Sequence, residues 1–98
     1  MTVDAERLAA IHRQCFAAPR PWAAAEIETI LATPGAFLLS EPDGFLVGRV
    51  LADEAELLTL AVAPAARRRG VAARLLAAFL DRAVRQGAGR AFLEVAAD

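Results

Sequence analysis

The chain has 98 residues, 57% of them hydrophobic, a formal net charge of −1 and a mean hydropathy of +0.40. That length bounds it to one small domain, and the near-zero charge argues against general affinity for nucleic acid. No apolar run approaches the roughly 20 residues of a membrane span.

Thr2 or Asp4 is expected to cap a first helix over 3–17. The same stretch carries acidic residues and lacks an apolar h-region, so it does not read as a signal peptide. Leu8, Ile11, His12, Cys15 and Phe16 recur at helical spacing as one apolar stripe. Cys15 is the lone cysteine, which fits a reducing cytoplasm. Pro19 and Pro21 end this helix. Trp22 opens a second helix over 22–33, with Ile27, Ile30 and Leu31 inward, and Thr33-Pro34-Gly35 stops it. Strands at 36–40 and 45–51 flank the turn signal Glu41-Pro42-Asp43-Gly44 and form a β-hairpin. Asp53-Glu54-Ala55 makes a second turn. A third strand, 56–63, is apolar enough to be covered on both faces, and Pro64 marks its end. A helix over 69–86 turns Val71, Leu75, Ala78, Phe79 and Val84 inward, and Gly87-Ala88-Gly89 terminates it. A last strand spans 90–96. The order ααβββαβ predicts an α/β (α+β) fold with one mixed sheet, antiparallel in its hairpin strands and parallel across the strand-helix-strand crossover.

Residues 57–76, LLTLAVAPAARRRGVAARLL, hold the strongest functional signal. An apolar strand ends at Pro64, the arginines Arg67, Arg68 and Arg69 follow, and Gly70 precedes an amphipathic helix. The first N–H groups of a helix lack intrahelical partners and the macrodipole is positive there, so the strand-turn-helix frame reads as a pyrophosphate site. Gly70 permits the turn and a close ligand approach. Taken alone, the arginine run also fits a solvated basic loop. A dinucleotide site matches less well because no G-x-G-x-x-G is present, and a Walker loop is excluded by the absence of lysine.

With the run Arg67-x-x-Gly70-x-Ala72 after a strand ending AVAP, the chain resembles the GNAT superfamily of acyl-CoA-dependent N-acetyltransferases. Four segments resemble the RimI-type ribosomal-protein-alanine N-acetyltransferases in particular: Phe16 to Trp22, Ala52 to Val62, the Arg/Gly turn, and Phe92-Leu93-Glu94-Val95. The resemblance implies acetyl-CoA as co-substrate, with no metal. It implies that the backbone of Leu60, Ala61 and Val62 pairs with the pantetheine arm. The Val62 N–H would polarise the thioester carbonyl, and the amides from Arg68 through Arg69, Gly70, Val71 and Ala72 to Ala73 would hold the diphosphate. Arginine side chains of the turn, Arg67 among them, would add charge-assisted contacts. Glu94 matches the general base that takes a proton from the attacking amine. The acceptor by resemblance is a ribosomal-protein N-terminus, with no role for a membrane or for direct nucleic-acid contact.

The chain departs from the family pattern in two ways. It stops before the family's asparagine turn, and it has no tyrosine, the residue that protonates the leaving thiolate. It therefore reads as a single domain over 1–98 that is incomplete at its C-terminus, with CoA binding without turnover as the alternative function. A bare edge at strand 90–96 would favour a homodimer. Simpler readings stand beside several assignments. Glu94 also fits a solvent-facing strand residue between Leu93 and Val95. His12 and Cys15 fit core residues better than a metal site, since no second ligand pair exists. Trp22 fits a packing anchor or an acceptor-groove wall. Asp53, Glu54 and Glu56 fit turn charges or an attraction for a cationic N-terminus.

Overall fold

The computed structural model describes residues 4–15 and 22–93. Its elements are α1 (Ala5–Cys15), α2 (Ala24–Leu31), β1 (Ala36–Glu41), β2 (Gly44–Leu51), β3 (Glu54–Val62), a 3-10 turn (Pro64–Ala66), α3 (Val71–Arg85) and β4 (Arg90–Leu93). The strands lie in the order β1-β2-β3-β4, antiparallel except for the parallel pair β3–β4. The predicted α/β architecture and mixed sheet are therefore present.

Three helix boundaries have a local cause. The Asp4 carboxylate accepts the Arg7 N–H at 3.1 Å and caps α1, whereas the alternative cap, Thr2, lies outside the described residues. At α2 the Glu26 side chain accepts the Ala23 N–H at 3.0 Å, so the helix starts two residues later than Trp22. Helix α3 closes with Gly87 at φ +83°, and the N–H groups of Gly87 and Ala88 return to the carbonyls of Val84 and Ala83 at 3.0 and 2.9 Å. That crossed pair of bonds is a Schellman cap.

The sheet is packed on both faces. Helix α3 lays Val71, Leu75, Phe79 and Ala83 on Phe37, Leu46, Ala55, Leu57 and Val62. On the other face, Leu8, Ile11 and Ile27 of α1 and α2 meet Phe45, Val47 and Ala61. Strand β3 exchanges which of its odd-numbered residues face each layer where its register with β2 shifts at Val47/Gly48: Val47 faces Thr59 while Gly48 faces Leu57. Leu58 is the extra residue of this bulge. Ala55 and Leu57 consequently point to α3, while Thr59 and Ala61 point to α1.

Three expectations need correction. Val84 is 74% exposed, because the inner stripe of α3 continues from Phe79 to Ala83. The second turn consists of Ala52 and Asp53, with Leu51 and Glu54 already paired and Ala52 at φ +54°. Helix α3 begins at Val71 and not at residue 69, because Gly70 is left-handed with φ +77°.

Candidate functional site

A cavity of about 460 Å³ opens where β3 meets the start of α3. It is lined by Cys15, Leu60, Ala61, Val62, Ala66, Arg67, Arg68, Gly70, Val71, Ala72 and Ala73. Nine of the sequence-predicted site residues are thus brought together. Arg69 is not among the lining residues, and Glu94 lies outside the described residues.

The two walls offer different hydrogen-bonding groups. One is the edge of β3 that faces away from β2. The Ala63 N–H donates to the Asp43 carbonyl at 2.8 Å, and backbone groups alternate between the two edges of a strand. Ala61 therefore turns its N–H and C=O toward β2, and Leu60 and Val62 turn theirs to the cavity side. Of the three residues expected to offer a pairing edge, Ala61 has its backbone committed to the sheet. Among the described residues β4 pairs with β3 from Glu54↔Arg90 to Leu57↔Leu93, and the cavity opens beside the continuation of β3 from Leu60 to Val62. The Val62 carbonyl accepts from the Cys15 thiol at 3.2 Å and from Arg67 Nε at 3.3 Å. Cys15, expected as a core residue, is half-buried and belongs to this wall.

The second wall is the turn into α3. Arg68 at φ +67° and Gly70 at φ +77° are both left-handed. The first helical bond runs from the Arg74 N–H to the Gly70 carbonyl at 3.0 Å. The N–H groups of Val71, Ala72 and Ala73 therefore have no acceptor one turn earlier, and no side chain caps them. Arg67, Arg68 and Arg69 are exposed around this amide cluster, which gives the turn the charge and donors that suit a phosphate.

Sequence reasoning missed Glu41 and Arg74. Arg74 donates from Nε and Nη2 to the two Glu41 carboxylate oxygens at 2.9 and 2.7 Å, and from Nη1 to the Arg69 carbonyl at 3.0 Å. This hydrogen-bonded pairing holds the Glu41 carboxyl below its ordinary range and raises Arg74 above its own. A signal was available, since an arginine in the first turn of a helix opposes the macrodipole and needs a partner.

His12 is buried with both ring nitrogens hydrogen-bonded within the protein. Its Nδ1 accepts the Trp22 N–H at 3.0 Å, so Nε2 carries the proton and donates to Thr59 Oγ1 at 3.0 Å. The ring stacks on Trp22 with centroids 5.2 Å apart. Burial pushes its pKa below the usual value, with the Glu26 charge opposing. Among the described residues, no group of three or more His, Cys, Asp or Glu is arranged to hold a metal ion, and no helix is long and apolar enough to cross a membrane.

A sheet whose β3 edge opens onto a glycine turn and a helix N-terminus is what an acyl-CoA transferase fold provides, and the comparisons agree. The family model of GNAT acetyltransferases matches residues 5–98, and the chain belongs to that family. It is similar in structure to the ribosomal-protein-S18-alanine N-acetyltransferase of Escherichia coli, with a TM-score of 0.81 and 25% identity, covering 100% of this chain and 64% of that one. The chain thus spans less than two thirds of that enzyme's length. An aminoglycoside acetyltransferase from an uncultured soil metagenomic sample, HMB0005, superposes with a TM-score of 0.70 at 25% identity, covering 95% and 72% of the two chains. The aminoglycoside N-acetyltransferase AAC(6')-Iy in complex with CoA shares the fold, with a TM-score of 0.70 at 20% identity and coverage of 94% and 70%. No curated protein matches the chain at a significant level.

Proposed function

We propose that the chain binds acetyl-CoA in the 460 Å³ cavity and transfers the acetyl group to an amine, with a protein N-terminus as acceptor. The observation that carries this reading is the junction of two donor sets in one cavity. The amides at 70–73 offer N–H groups suited to a diphosphate. The Leu60 and Val62 backbone offers a strand edge suited to the amide-bearing pantetheine arm. The acetyl donor, when bound, supplies an activated thioester. The Val62 N–H is the group of this chain that would stabilise charge on the thioester oxygen. Glu94 is proposed as the base: an N-terminal amine with pKa near 7.7–8.0 is partly protonated at neutral pH and must lose a proton to attack.

Likeness to the Escherichia coli enzyme supports a ribosomal-protein alanine as acceptor, and the lone cysteine fits a cytoplasmic location. The alternative reading is CoA binding without turnover. Thermal unfolding with and without acetyl-CoA tests the shared premise. A ligand present at 100 times its Kd should add about 2.7 kcal/mol to the folded state, whereas an unmoved transition removes both readings. Acetylation of a peptide with N-terminal alanine then separates the two, and in that assay Glu94→Gln should slow transfer while leaving CoA affinity unchanged.

A further inference from the structure

We infer that Glu41 and Arg74 are positioning residues that fix the peptide plane between Arg69 and Gly70, and with it the aim of the Gly70 N–H. This rests on the CoA reading above and concerns the same site. A peptide is planar and trans, so the Arg69 C=O and the Gly70 N–H point in opposite directions. Arg74 Nη1 draws the Arg69 carbonyl to itself at 3.0 Å. Arg74 does not line the cavity, and neither does Arg69, whereas Gly70 does. The Gly70 N–H is therefore turned away from Arg74, to the side on which the cavity lies.

Such a lock is needed because glycine resists little. Gly70 sits at φ +77°, and a glycine takes either sign of φ at similar cost. The 69–70 peptide would otherwise flip and present a carbonyl oxygen to an anion. Arg74 by itself would be a long, mobile side chain. Glu41 immobilises it by a two-point carboxylate bridge at 2.7 and 2.9 Å. Glu41 is anchored in turn, because Arg7 of α1 donates to the Glu41 and Pro42 carbonyls at 3.3 and 2.9 Å and to Ser40 Oγ at 2.8 Å. The clamp thus reaches from α1 through the β1–β2 turn to the phosphate turn. Since Glu41 neutralises Arg74, the pair contributes geometry to the turn and no net charge.

The test is a titration of the 15N-labelled chain, followed by amide shifts, with CoA and separately with pantetheine, which lacks the diphosphate. Wild type, Glu41→Gln and Arg74→Met are compared. Arg74 is largely exposed, so both variants should fold. Loss of one or two hydrogen bonds at the turn should weaken CoA binding by about three- to tenfold. Pantetheine binding should stay unchanged, and the Gly70 amide should move in the ligand-free variants. Unchanged CoA affinity overturns the inference, as does an equal loss for both ligands, which would mark general structural support. A wild-type chain that binds neither ligand sinks the CoA reading itself, and the inference falls with it. That result is separate from one in which wild type binds and the variants bind equally well.

Discussion

At the scale of single residues, the buried polar groups are those whose chemistry can be read with a sign. His12 is held neutral between the Trp22 N–H and Thr59 Oγ1, and burial lowers its pKa from the usual 6.5. The unfolded chain therefore binds a proton more readily than the folded one in the window below pH 6.5. Stability is full above that value and falls as the pH drops through it toward the lowered folded pKa. We expect the urea midpoint to fall between pH 7.5 and 5.5, and this fall to flatten in His12→Gln; an equal slope in both proteins would remove His12 as the source. Gly70 gives a second expectation at this scale. A branched residue at φ +77° pays about 1–2 kcal/mol of left-handed strain, and its Cβ starts 3.3 Å from Arg74 Nη1. Gly70→Val should lower both the melting temperature and CoA affinity, the latter read by calorimetric titration.

At the scale of elements, α3 and β2 meet where one atom decides the packing. A Cβ on Gly48 would lie 2.7 Å from Phe37 Cζ and 2.9 Å from Phe79 Cε1. Those two rings stack at 6.1 Å under the Arg82 guanidinium, itself 4.5 Å above Phe37. Gly48→Ala should cost about 1–3 kcal/mol by overpacking, and Phe79→Ala about 3–5 kcal/mol through the cavity left behind, both measurable by denaturant titration. The elements themselves were legible in the sequence, because apolar spacing, prolines and glycines are local signals. Leu75 and Phe79 fall on the predicted face of α3, whereas Val84 does not, because periodicity alone does not say where a stripe drifts along a helix. The Leu58 bulge was not legible in the run Leu57 to Val62, since its register is set by pairing with β2. At the candidate site, the glycine turn and the end of β3 could be read from residue types and spacing. The Arg74–Glu41 bridge could not, because its partners stand 33 positions apart and meet only once the hairpin folds beside α3.

At the scale of the whole molecule, the sheet has a covered centre and one weak margin. Among the described residues β2 and β3 are paired on both sides and β1 and β4 are the edge strands, β4 with all four residues exposed. Phe92 and Leu93 are 50% and 46% exposed there, and Arg90 is the strand's only charge. Natural edges are usually blunted by charge, proline or cover, and an edge with one charge and two exposed apolar side chains offers its N–H and C=O groups to another strand. The parallel register places Phe92 beside Glu56 and Leu93 beside Leu57, so the two apolar side chains fall on opposite faces of the strand. A second copy pairing with this edge would satisfy its N–H and C=O groups and set side chains of its own beside Phe92 and Leu93 on each face. Sedimentation velocity over a concentration series should therefore show reversible self-association. Phe92→Lys, which adds a charge at the edge, should shift the distribution toward monomer while the thermal transition of the two-faced core stays near that of wild type. A wild-type chain that remains monomeric across the series would mean that the edge is not an interface in solution. A Phe92→Lys chain that associates as strongly as wild type would move the interface elsewhere.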